Sequence, residues 1–197
     1  MVVRITIVLA LISVLPFLGS CNVALAQTND IGQSQIHPAH PLYFLKAVRE
    51  SLEMQFAQTP NIKMTRQLEF ATRRLREVKS LISKNRQDLI EPNLERYWAN
   101  MNTVLGYRPR EEWLTLLLNY TISTHLNVLE LVYEKIDEKR AKMSVRTQIY
   151  RLLEYSDITG EPRIKGCDYL SKEASSSALT EVERAILKER AQRCLKN

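Results

Sequence analysis

The strongest constraint in this chain is one stripe in its first half. Met64, Leu68, Ala71, Leu75, Val78 and Ile82 recur at intervals of four, three, four, three and four. That is the period of one face of an α-helix. Arg66, Arg73, Arg74, Arg76 and Lys79 fall between them and are expected to face solvent. Upstream, Pro41 suits an early helical position. Leu42, Leu45, Val48, Leu52 and Phe56 form a second stripe, read as a buried face with Lys46, Arg49, Glu50 and Glu53 mostly outside. Thr59-Pro60 divides the two, Thr as N-cap and Pro in the first turn. Pro41 to Ile82 is therefore predicted to be an antiparallel helix pair. Glu69/Arg73 and Arg73/Glu77 are i,i+4 pairs worth about 0.2–0.5 kcal/mol each, which accounts for the arginines without a ligand.

The rest reads as more helix packed onto that pair. Asp88 with Glu91 suggests a cap for a third helix bearing Ile90, Leu94, Tyr97, Met101 and Val104. Gly106 is expected to end it in the left-handed conformation. A fourth helix opens at Pro109, and its apolar residues from Leu114 to Ile136 cover more than one face, as in the middle of a bundle. Asn119, Thr121, Ser123, His125 and Glu130 interrupt it too often for a membrane span. The sequence leaves open whether this helix stops near Arg140. Ser144 is the expected cap of a helix running through Tyr155. Asp157 to Gly166, with Gly160, Pro162 and Gly166, is expected to be irregular. Thr180 and Glu183 form a capping box for a short last helix presenting Val182 and Ile186. The fold class is all-α, a bundle of five to six helices. Only 5 Gly and 7 Pro in 197 residues fit helices better than a turn-rich β fold.

The N-terminus sets the expected compartment. Arg4, the apolar run Ile5 to Leu18 and the small residues before Cys21 have the layout of a cleaved signal, residues 1–20. Leu18-Gly19-Ser20-Cys21 resembles a bacterial lipobox, in which the cysteine receives a diacylglycerol and becomes the new N-terminus. Two acyl chains, each contributing about 0.8 kcal/mol per buried CH₂, would anchor the chain. The rival is Ala24-Leu25-Ala26 before Gln27, an A-x-A site that would release a soluble periplasmic or secreted form. An uncleaved membrane anchor is the third reading. Residues 21–39 are expected to be a flexible tether. Its 18 residues from Asn22 to Ala39 would span about 23 Å r.m.s. as a coil. Residues 40–197 are expected to form one helical domain.

Pro41-Leu42-Tyr43-Phe44-Leu45-Lys46 and Leu68-Glu69-Phe70-Ala71-Thr72-Arg73-Arg74-Leu75-Arg76-Glu77 together resemble a bacterial exported family. It is classed only as a domain of unknown function. Its members carry a Pro-x-Tyr-x-Leu-Lys helix followed by a Leu-Glu-x-Ala-x-Arg-Arg-Leu-x-Glu helix. The likeness covers residues 41–82. It implies an envelope-facing, all-helical domain and supplies no catalytic residues.

Cys167 and Cys194, 27 positions apart, are expected to pair in an oxidising envelope. His37 and His40 could hold a transition metal, but a third ligand is not evident, and no metal is assigned. His125 is expected to be a satisfied interior or boundary residue. Tyr97, Trp98 and Trp113 are weak candidates for a ligand groove between the third and fourth helices, with core packing as the alternative use. Basic and acidic residues, 28 and 22, are interspersed, so a mixed solvated surface is expected and no nucleic-acid partner. Phosphate loops, nucleophile elbows and haem-attachment motifs are absent from the sequence. The expected function is non-catalytic, with no cofactor: an envelope lipoprotein, held by the lipid anchor at Cys21, that binds a protein partner or acts as a scaffold or sensor at the membrane surface. A small-ligand binder using the aromatic groove is the alternative.

Overall fold

The computed structural model describes residues 31–107, 111–154, 161–175 and 179–196. Residues 1–30, and with them the signal, Cys21 and the rival site at Ala26, lie outside the described residues. Among the described residues there are seven α-helices and no strand. They are α1 (Tyr43–Gln55), α2 (Pro60–Ser83), α3 (Ile90–Leu105), α4 (Glu112–Glu134), α5 (Lys139–Leu153), α6 (Glu161–Glu173) and α7 (Glu181–Lys196), with a 3₁₀ turn at Gln87–Leu89. None of these helices is long and apolar enough to cross a membrane.

The predicted stripe of α2 is the centre of the core, with its last residue, Ile82, only partly buried. Ala71, Leu75, Val78 and the neighbouring Leu81 are fully buried. They pack with Leu94, Tyr97 and Met101 of α3 and with Leu114, Ile122 and Leu129 of α4, all buried members of one cluster. Val145, Ile149 and Leu152 of α5 continue that cluster, and α6 and α7 close its far end. Cys167 of α6 and Cys194 of α7 are disulfide-bonded, with Cα atoms 5.7 Å apart. This bridge fastens α6 to α7 covalently.

Several local details differ from expectation. Thr59 caps α2 as predicted, its Oγ1 accepting from the Ile62 N–H at 3.2 Å. The box at α7 also forms: Glu183 Oε2 accepts from Thr180 N–H at 3.0 Å, and Thr180 Oγ1 from Glu183 N–H at 3.3 Å. Asp88 does not cap α3. Leu89 stands at the N-cap without a side-chain bond, and Asp88 pairs with Arg86 at 2.9 Å. Gly106 ends α3 with φ −73°, so its residue type is not required by a left-handed turn. The break left open after the fourth helix falls at Glu134, and α5 starts at Lys139, five positions before Ser144. There the Glu138 carboxylate accepts from Arg140 N–H and Ala141 N–H at 3.0 and 2.7 Å.

Residues 161–166 are helical, not irregular. Pro162 sits in the first turn of α6, where its missing N–H is harmless, and Gly166 lies within the helix because a Cβ there would collide with Leu153 of α5. Asp157 to Gly160 lie outside the described residues. α7 packs through Leu187, Ala191 and Cys194, while Val182 and Ile186 stay exposed. α4 is central, yet Leu116, Tyr120 and Leu131 remain on an exposed side.

Candidate docking face

The largest departure from the sequence reading is α1, which is turned the opposite way. Its polar face lies on α2, and its apolar face points outward. Phe56 is 78% exposed, Phe44 62%, Val48 55% and Leu52 47%, with Leu42 and Leu45 similarly open. Glu50 is buried, and Lys46 and Glu53 are largely covered. The expected buried stripe is therefore the solvent face.

The reason lies in what α2 offers. Glu77 is wholly inaccessible and Arg74 only 7% exposed, so this part of α2 presents charge rather than hydrocarbon. Glu77 binds Lys46 and, at 2.7 Å, Arg74. Tyr43 Oη donates to Glu77 Oε2 at 3.0 Å and accepts from Arg74 at 2.9 Å and from Arg96 of α3 at 3.1 Å. Arg74 also binds Glu50. One turn along, Arg73 reaches Glu53 at 2.8 Å. A charged surface of this kind is stable only if each charge meets its complement. Lys46, Glu50 and Glu53 supply those complements, and the helix turns to bring them in. Arg73 and Arg74 are thus not solvent residues.

The electrostatics agree with a partly dry seam. Burial, and then the Glu77 charge, push the Tyr43 hydroxyl up to about 12. Burial also raises the Glu50 carboxyl above its ordinary range, against the pull of Arg74. At the wetter end, burial of Glu53 is outweighed by hydrogen bonds from Arg73 and Arg49, and its carboxyl titrates lower than usual. Arg74 pays for its own burial through Glu77 and Glu50, and its guanidinium is held above its usual range.

The stretch before α1 is also engaged. Ser34 N–H donates to Ser80 Oγ and Ser34 C=O accepts from it, each at 2.9 Å. Arg76 Nε donates to the Ile31 carbonyl at 2.6 Å. Ile31 and Ala39 pack against the core. From Ile31 onward the expected tether lies against α2, because Ser80 and Arg76 satisfy its backbone. His37 and His40 accept from nearby backbone N–H groups, of Ala39 and Leu42, at 3.3 and 3.1 Å, and so serve as turn caps.

At the C-terminal end of α1 the open face widens into a shallow hollow of about 380 Å³, lined by Leu52, Phe56, Ala57 and Ile62 and by the charged Arg49, Glu53 and Arg66. A second hollow, about 310 Å³, lies where α5, α6 and α7 meet, lined by Tyr150, Leu170, Arg163, Arg190 and Arg193 among others.

The predicted aromatic groove does not assemble around its three residues. Tyr97 is fully buried, its hydroxyl 3.2 Å from His125 Nδ1. Trp98 is partly buried with the Arg151 guanidinium 5.2 Å from its ring. Trp113 is exposed and donates to Glu111 Oε2 at 2.6 Å. His125 is an interior residue, as expected. Thr72 Oγ1, 2.9 Å from its Nε2, donates to the Leu68 carbonyl and so accepts from the ring, leaving Nδ1 to accept from Tyr97. Burial holds this imidazole down at about 3. Among the described residues no group of three His, Cys, Asp or Glu could hold a metal ion.

The elements that form the ion-paired seam, α1 to α3, coincide with a recognisable unit. Residues 35–107 match the family model named Domain of unknown function (DUF5667). The match is longer than the 41–82 resemblance read from the sequence, and takes in α3. No curated protein and no solved structure matches the chain. Tyr43, Lys46, Arg73, Arg74 and Glu77, which carry the motif resemblance, are the residues that meet between α1 and α2. The open stripe of α1 carried no signal of its own exposure. Only the charge partners on α2 disclose it.

Proposed function

We propose that this chain is a non-catalytic docking protein of the bacterial cell envelope, exported by its N-terminal signal and anchored by lipid at Cys21. It engages its partner through the outward face of α1. The observation that carries this reading is the row Phe44, Leu45, Val48, Leu52 and Phe56, left open on a helix whose polar side is bound. Fully burying a large apolar side chain stabilises by about 1.5–3 kcal/mol. Leaving five of them between 47% and 78% exposed forgoes much of that gain until a partner covers them. The seam supports the reading too, since it fixes which way the helix faces and keeps the apolar row from folding inward.

Thiol labelling in isolated native membranes tests it. Leu52→Cys is predicted to react far more slowly with a maleimide than Gln192→Cys on exposed α7, after subtraction of the parent chain. Equal rates would overturn a docked α1. The anchor has its own check in the intact mass of the native protein: residues 21–197 plus acyl groups support it, and a chain beginning at Gln27 without lipid contradicts it.

A further inference from the structure

We infer that the surface covered by α1 is a lipid bilayer carrying anionic headgroups, an assignment that rests on the membrane-anchored reading above. Three observations meet here. First, the open face of α1 has the chemistry of an interfacial helix: Phe44, Leu45, Val48, Leu52 and Phe56 form the apolar side, and the most exposed charge beside them is Arg49, 69% accessible. Such helices lie in the interface plane with the apolar side about 5–10 Å into the headgroup and acyl boundary. Of the acids of α1, Glu50 is held at the seam by Arg74, while Glu53, held by Arg73, also lines the hollow at the end of the helix. Both carboxylates are thus charge-compensated from α2, which reduces their repulsion of an anionic surface.

Second, the hollow at the end of α1 has an amphiphile's pattern. Leu52, Phe56, Ala57 and Ile62 supply hydrocarbon, and Arg49, Arg66 and one carboxylate, Glu53, supply the charged lining. Arg66 sits in an accessible pair with Glu69, and Arg49, itself 69% accessible, pairs with the largely covered Glu53. The exposed pair contributes little, and both guanidiniums can turn to a headgroup phosphate.

Third, the sequence before Ile31 holds the segment read above as export signal and lipid anchor. The apolar run Ile5 to Leu18 and Cys21 precede Ile31, and Ile31 is docked on α2 at Arg76, beside the Glu77 that binds the start of α1. Ten residues from Cys21 to Ile31 reach at most about 35 Å. An anchor at Cys21 therefore keeps α1 within reach of the bilayer that holds it.

The test uses the full chain bearing Phe56→Trp, reconstituted into vesicles of phosphatidylcholine and phosphatidylglycerol with brominated acyl chains. Difference emission against the parent chain removes Trp98 and Trp113. The expected result is a blue shift and a loss of the Phe56→Trp emission to bromine quenching. Both should weaken when phosphatidylglycerol is omitted or when Arg49→Ala is added. A chain that floats with the vesicles while its Phe56→Trp emission is neither shifted nor quenched overturns this inference and leaves the anchored reading standing. A chain that does not float overturns both. Cross-linking of two copies through Leu52→Cys in place of quenching would assign the face to a second copy and sink the bilayer.

Discussion

Tyr43 on α1 donates its hydroxyl proton to Glu77 Oε2 on α2 across 3.0 Å. The same carboxylate binds Lys46 and Arg74 through its other oxygen. One fully buried glutamate thus gathers the groups that fix the rotation of α1 about its axis.

Glu77→Gln keeps the shape and removes the charge. Lys46 and Arg74 then lose their shared counter-ion in a largely dry seam, and removing one partner of a buried pair costs about 3–5 kcal/mol. Chemical denaturation should show that loss, and amide exchange should place the loosening in α1 and the middle of α2. Unchanged stability would mean that the seam does not hold the helix.

The His125 ring gives a pH prediction. It is fully buried and neutral, held at about 3 by burial, against an ordinary 6.5. The unfolded chain therefore binds a proton that the folded chain refuses between those values. The contribution is intact above about pH 6.5 and is lost as pH falls toward 3, at up to about 1.4 kcal/mol per pH unit. Urea denaturation from pH 7 to 4 should show this slope in the parent chain and a flatter one in His125→Gln. Equal slopes would contradict the assignment.

The Cys167–Cys194 bridge closes a separation of 27 residues, worth about 3.5 kcal/mol in the chain-entropy account. Reduction, or Cys167→Ala with Cys194→Ala, should lower stability by about that amount and open α6 and α7 to protease first. A reduced protein as stable and as resistant as the oxidised one would contradict this.

What the sequence disclosed, and what it hid, follows from how each element is held. The α2, α3 and α4 stripes were legible because hydrocarbon packs on hydrocarbon there: Leu75, Leu94 and Ile122 are fully buried. The bridge was legible from the pairing of two thiols. Amphipathic spacing in α1 correctly marked two unlike faces, but it does not say which faces inward. That choice depends on Arg73, Arg74 and Glu77, whose own spacing reads as an ordinary solvated helix surface. α6 was missed because Pro162 and Gly166 are helix breakers in general. One occupies a first turn and the other a close approach to Leu153. Tyr97, Trp98 and Trp113 are near in sequence to one helix junction, yet their side chains meet His125, Arg151 and Glu111 respectively.

The most direct test of the outward α1 face is the unfolding free energy of the full chain carrying Val48→Asp and Leu52→Asp together. Substitutions on an exposed surface usually stay within about 0.5 kcal/mol each, so the double variant should unfold within about 1 kcal/mol of the parent while, with Phe56→Trp added, losing the bromine quenching of that emission. A loss of several kcal/mol, as when unpaired charge is forced into a core, would show that Val48 and Leu52 face inward and would contradict the docking face.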